Sequence, residues 1–112
     1  MSGRTSRAWV EVNLAAIVEN ARAIQRIAGT RLLPIVKANA YGTGAVAVSR
    51  ALEALDPWGY GVATVEEGAE LRAAGIARPI LVLLPARPER FAEYSAARLT
   101  PVLDDAAAIH AW

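Results

Sequence analysis

The chain has 112 residues, 54% of them hydrophobic, with a formal net charge of +1 and no cysteine. That length and apolar content make a single domain with a real core, and the near-zero charge leaves no electrostatic case for nucleic acid or an anionic membrane surface. Without cysteine there is no disulfide framework and no thiolate metal site, and no paired histidine spacing offers a metal site instead.

Residues 1–7 (MSGRTSR) are a small polar leader, expected to be disordered. No apolar signal-peptide core follows it, and the longest aliphatic run, 80–84, is far below the roughly 20 residues a membrane span needs, so the expected location is the cytoplasm. Residues 8–12 (AWVEV) alternate weakly and predict a short strand. Asn13 is a good N-cap, and behind it Leu14, Ile17, Val18, Ala21, Ile24 and Ala28 recur at helical spacing until Gly29. Arg22, Gln25 and Arg26 fall on the opposite face, which predicts an amphipathic helix packed on an apolar surface. Residues 32–36 (LLPIV) predict a strand buried on both faces, running into Lys37 and the turn-rich stretch 38–44 (ANAYGTG). Ala45, Val48, Leu52 and Leu55 trace a second helix that Asp56-Pro57 stops.

Residues 58–63 (WGYGVA) predict the next strand. Thr64 with Glu67 three residues on forms a capping box for a third helix, with Val65, Ala69 and Leu71 as candidate buried positions and Gly75 at its close. Residues 80–84 (ILVLL) predict another strand, and 88–97 a helix with Phe91 inward. Residues 99–103 (LTPVL) predict a further strand, weakened by Pro101, and Asp104 caps a last helix over 106–111.

Strand and helix alternating through short connections is the pattern of parallel βαβ units, an α/β fold. Two closures are open: a doubly wound sheet, or the first half of a TIM-type (β/α)8 barrel. No G-x-G-x-x-G follows the first buried strand, which removes the main support for a dinucleotide-binding sheet. A barrel needs about 250 residues, and half a barrel leaves two raw strand edges, so residues 8–112 read as a partial domain of a longer chain. The other reading is a complete small domain whose edges a partner copy covers.

Lysine and arginine together number 12, and arginine takes every position but one, leaving Lys37 as the sole lysine. An amine can lose its proton and attack a carbonyl, whereas guanidinium stays charged. Lys37 at the carboxyl end of an apolar strand therefore reads as a Schiff-base lysine, or as a strand-end lysine that reaches to water.

The stretch KANAYGTG after an aliphatic strand resembles the pyridoxal-phosphate signature of the alanine racemase family, whose usual form is KANAYGHG. AWVEVNLAAIVENARAI resembles the family's amino-terminal strand and helix, VATVEEGAELRAAGI its second barrel strand and following helix, and PILVLL its third strand. The resemblance runs from Ala8 onward. It implies a TIM-type barrel binding pyridoxal 5'-phosphate through Lys37, which also acts as the base on one face of alanine. It implies a homodimer, with a tyrosine from the partner subunit serving the other face, and places Tyr41 near the cofactor phosphate. Tyr41 can equally be a tyrosine packing the strand-to-helix turn.

Gly42 and Gly44 are read as allowing a tight turn and close backbone approach, and Asn39 as a turn residue or one orienting groups near the lysine. Thr43 stands where the family usually carries histidine, which leaves room for a racemase of broader specificity. The family's arginine facing the pyridine nitrogen, its later phosphate-binding residues and its second tyrosine match nothing up to Trp112, so this stretch alone is expected to be inactive, or a silent cofactor-binding domain. His110, Tyr60 and Tyr94 match none of those roles. Glu66, Glu67 and Glu70 crowd the first turns of one helix and are read as solvating its face.

Overall fold

The structure is a computed structural model that describes residues 7–112. Apart from Arg7, the polar leader over 1–7 lies outside the described residues.

Short-range chemistry sets the helix boundaries. Helix α1 (Leu14–Ala28) begins where the Asn13 side chain accepts from the Ala16 amide at 3.0 Å, and ends where Gly29 turns left-handed at φ 67°. Next come α2 (Lys37–Tyr41), a single turn of unusual hand, and α3 (Ala45–Leu52), followed by a 3-10 turn over Glu53–Leu55. Helix α4 (Val65–Ala73) starts on the capping box of Thr64 and Glu67, with both halves formed. Helices α5 (Phe91–Ala97) and α6 (Ala106–Ala111) complete the set.

Strands β1 (Tyr60–Val62) and β2 (Ile80–Val82) pair in parallel, Tyr60 opposite Ile80 and Val62 opposite Val82. Parallel bridges Ile35–Gly61 and Leu81–Thr100 add the segments 32–36 and 99–103 on either side. Hydrogen bonds from Val36 N to Gly61 O (2.8 Å) and from Val82 N to Thr100 O (3.0 Å) fix them there. The four extended segments therefore lie side by side in chain order. A doubly wound sheet reverses its order at a switch point, whereas a barrel wall advances one neighbour at a time. The order selects the barrel.

One face of this wall is packed and the other is open. Val36, Tyr60, Val62, Ile80, Val82 and Leu99 are buried in the core with Val48 and Leu52 of α3 and Leu71 of α4. Alternate residues behave differently: Ile35 is 37% exposed, and Leu81 and Leu83 are half-buried. A Cβ on Gly61 would run into the Ile35 side chain and lie 3.8 Å from Leu83 Cδ1, which places both side chains on this second face.

Polar side chains tie helices to the wall. The buried Tyr60 hydroxyl donates to Ser49 O on α3 at 2.8 Å, and burial pushes its pKa well above that of an ordinary phenol. Arg72 on α4 donates to the carbonyls of Ala97 (3.0 Å), Arg98 (2.7 Å), Ile76 (2.8 Å) and Arg78 (2.7 Å), gathering the end of α5 and the approach to β2. Arg78 bonds Glu53, Asp56 and the Pro57 carbonyl beneath them.

Several expectations are corrected. Residues 8–12 are not a strand: among the described residues none pairs with them, and Trp9 and Val10 stand exposed. The segment 32–36 is not buried on both faces, because only Val36 lies in the core. It and 99–103 each make a single bridge rather than a full strand; in 32–36, Pro34 faces β1 and has no N–H to give a ladder. The second helix gives way after Leu52, and the one expected over 88–97 opens as a 3-10 turn, Pro88–Arg90. Gly68, not Ala69, faces the core on α4. Asp105 rather than Asp104 caps α6, accepting from Ala108 N at 2.6 Å. Phe91 is half-buried, its ring edge-on to Trp112 with centroids 5.1 Å apart.

Candidate active site at the carboxyl end of the first strand

Lys37 leaves the segment 32–36 at its carboxyl end and enters α2. Ala38, Asn39, Ala40 and Tyr41 all have φ between 51° and 55°, so this helix is left-handed although none of the four is glycine. Each such residue costs about 1–2 kcal/mol, because Cβ is forced toward the following carbonyl oxygen. Runs of this kind persist only where the surroundings over-determine them, and they gather at functional sites.

The surroundings here are specific. The Asn39 side chain accepts from Ala45 N at 2.8 Å, and its backbone carbonyl accepts from Gly44 N at 2.9 Å, so Asn39 both makes the turn and caps α3. Gly42 and Gly44, at φ 88° and 100°, continue in backbone regions that side chains avoid. The Thr43 hydroxyl donates to Ala40 O at 2.5 Å. A local backbone bond thus occupies the threonine, where a histidine could not be held by the same hydroxyl contact.

Glu67 supplies the remaining tie, from α4. Its Oε1 accepts from Ala63 N (2.7 Å) and Thr64 N (3.2 Å), while Oε2 accepts from Ala38 N at 2.7 Å. The expectation that Glu66, Glu67 and Glu70 together solvate a face holds for exposed Glu66 and Glu70, and fails for half-buried Glu67. Glu66 pairs with Arg90 at 2.6 Å, and that guanidinium holds its carboxyl below the usual glutamate range. The capping-box spacing marks Glu67 as a backbone acceptor. Nothing in it shows that the start of α4 lies against the turn after Lys37.

Lys37 is half-buried with its Nζ 5.9 Å from the centre of the Tyr41 ring, and Tyr41 is 67% exposed. Among the described residues the ion pairs are made by arginines, and none involves Lys37. Tyr60 and Tyr94 are buried away in the core, and His110 is exposed on α6. An apolar cavity of about 390 Å³ between α1 and the segment 32–34 is lined by Ile17, Ile24, Leu33 and Leu52 and does not include Lys37. No cluster of metal ligands is found among the described residues.

A chain-order parallel wall, helices packed on one side of it and a lysine at the carboxyl end of its first segment define part of an α/β barrel. Solved structures agree. Alanine racemase from E. faecalis superposes with a TM-score of 0.83 at 31% identity, over 89% of this chain and 28% of that one. Alanine racemase from Bartonella henselae with covalently bound pyridoxal phosphate gives 0.82 at 29% identity, over 90% of this chain and 29% of that one. The family model for the alanine racemase N-terminal domain matches residues 12–112. The chain belongs to the alanine racemase family. The alanine racemase of Carboxydothermus hydrogenoformans is 44% identical over 96 residues, which are 85% of this chain and 26% of that protein. The chain thus spans about a quarter of the length of such a relative.

Proposed function

We propose that residues 8–112 are the lysine-bearing part of a pyridoxal 5'-phosphate-dependent racemase acting on alanine, with Lys37 as the residue that holds the cofactor. The observation that carries this reading is Lys37 itself: an amine without a carboxylate partner among the described residues, at the barrel rim, followed by a left-handed turn that four non-glycine residues sustain. This donor set fits an aldehyde cofactor, since an amine not tied into an ion pair can give up its proton and form a covalent bond to an aldehyde carbon. When bound, the cofactor supplies an electron sink that stabilises a carbanion at the substrate's α-carbon.

The chain's own part follows from Lys37. Its Nζ anchors the cofactor and, once released by an incoming amino acid, takes or returns the α-proton on one face. Tyr41, exposed beside that amine with its ring centre 5.9 Å from Nζ, would hold the cofactor phosphate through its hydroxyl. A second base must serve the opposite face. Tyr60 and Tyr94 are buried in the core and His110 stands on α6, and likeness to the alanine racemase family assigns this base to a tyrosine of the partner subunit in a homodimer. Cofactor binding with little or no turnover is therefore expected of these 112 residues by themselves.

Incubation with pyridoxal phosphate, borohydride reduction and peptide mapping test this directly. The pyridoxyl label is expected on Lys37, and Lys37→Arg is expected to abolish it, because guanidinium does not attack the aldehyde. A label spread over amino termini, or none, overturns the reading. Proton exchange at the α-carbon of alanine then separates an active enzyme from a silent binder.

A further inference from the structure

We propose that Glu67 is a positioning residue for Lys37, acting through the peptide bond that joins Lys37 to Ala38. The proposal rests on the reading of Lys37 as the cofactor lysine. The left-handed run begins at Ala38, so the Lys37–Ala38 peptide is the point at which the backbone changes hand. The donor on that peptide, Ala38 N, is held by Glu67 Oε2 at 2.7 Å, across 29 residues of sequence. The other oxygen of the same carboxylate closes on Ala63 and Thr64, at the carboxyl end of the neighbouring strand β1.

One carboxylate therefore spans two adjacent strand ends at the barrel rim and fixes the direction in which Lys37 leaves the first. A hydrogen bond to a charged acceptor is among the stronger ties available to a backbone amide. It acts at the first of four successive left-handed residues. Without it, the peptide is free to relax toward the right-handed region, and the lysine loses the fixed origin its amine needs for a constant approach to the aldehyde.

The geometry separates this role from helix capping. Glutamine is a good capping-box partner, and one amide oxygen can still serve Ala63 and Thr64. Its NH2 group would then face the Ala38 N–H, a donor against a donor. Turning the amide over restores Ala38 but confronts two N–H groups at the helix start, which is worse. E67Q thus keeps the cap and loses the tie to Ala38. T64A does the reverse, removing the other half of the box while leaving Ala38 and Glu67 in contact.

The test compares the full chain with E67Q and T64A under conditions where all three are folded. Backbone amide exchange is read without cofactor, and borohydride-trapped pyridoxyl label on Lys37 is read against pyridoxal phosphate concentration. In E67Q, Ala38 N–H is expected to exchange about ten-fold faster while Ala63 and Thr64 stay protected, and half-labelling of Lys37 is expected to need about ten-fold more cofactor. T64A is expected to change neither the Ala38 exchange nor the labelling. If either readout in E67Q matches wild type, or T64A weakens labelling as much, the positioning role is overturned while the reading of Lys37 stands. A wild-type chain that takes no label on Lys37 overturns both, and is told apart by needing no variant to show it.

Discussion

Ala38 carries the sharpest conflict between local preference and the folded chain. Alanine is among the best right-handed helix formers, yet it sits at φ 51° and ψ 47°, exposed to solvent and packed on nothing that a methyl group would miss. Glycine would adopt the same backbone without the Cβ clash, at the cost of more freedom in the unfolded chain. The first effect is the larger, so Ala38→Gly is expected to stabilise the protein by about 0.5–1 kcal/mol, against the usual sign for alanine to glycine. Urea denaturation measures it, and a loss of stability would show that the turn is not left-handed. The conflict also explains what could be read in advance at the site. Lys37 stands out as the only lysine, and Gly42 and Gly44 mark a turn by composition alone. The hand of residues 38–41 carries no such mark, because one of the ties on Ala-Asn-Ala-Tyr, Glu67 to Ala38 N, arrives from another element.

At the scale of elements, legibility follows the range of the interaction that sets each boundary. Asn13, Gly29 and the Thr64–Glu67 box act within four residues and were all readable as caps. Strand lengths depend on neighbours, so two proline-bearing segments shrink to single bridges and 8–12 pairs with nothing among the described residues. Two arginines show how unevenly the elements are tied. Arg72 spreads its donors over four carbonyls at the ends of α5 and before β2, whereas Arg90 meets Glu66 and Glu93 at the surface. Charged hydrogen bonds to carbonyls are worth more than screened surface pairs, so Arg72→Met is expected to cost about 2 kcal/mol, and Arg90→Met distinctly less. The two differ in pH dependence as well. Arg90 holds the Glu66 and Glu93 carboxyls below the ordinary 4.5, so what they contribute is present above that value and disappears as pH falls through their lowered range. Urea midpoints between pH 3 and 6 should therefore fall less steeply on acidification in Arg90→Met than in wild type, and an unchanged slope would remove the pair from the account.

For the molecule as a whole, the decisive feature is that the wall has one covered face and one open one. Helices α3 and α4 cover the side that carries Tyr60, Val62, Ile80 and Val82, while Ile35, Leu81 and Leu83 line a second face that nothing among the described residues closes. The relatives that share this fold are about three times as long, and a barrel fills its interior with side chains from all of its strands. Two outer segments also present unpaired backbone to solvent, the arrangement that invites edge-to-edge pairing. The 112 residues in isolation are therefore expected to associate in a concentration-dependent way and to bind an apolar dye, as exposed apolar patches do. Leu83 is the residue to change, because it lies on the open face beside Gly61 and Ile35 and contributes only its backbone to the ladder, through Leu83 N to Val62 O at 2.7 Å. Leu83→Lys is expected to shift sedimentation toward monomer and lower dye binding several-fold while the helical signal stays unchanged. Were the wild-type chain to sediment as a monomer at every concentration without binding the dye, the open face would have to be closed by residues of this chain, and the half-built wall would be the wrong description.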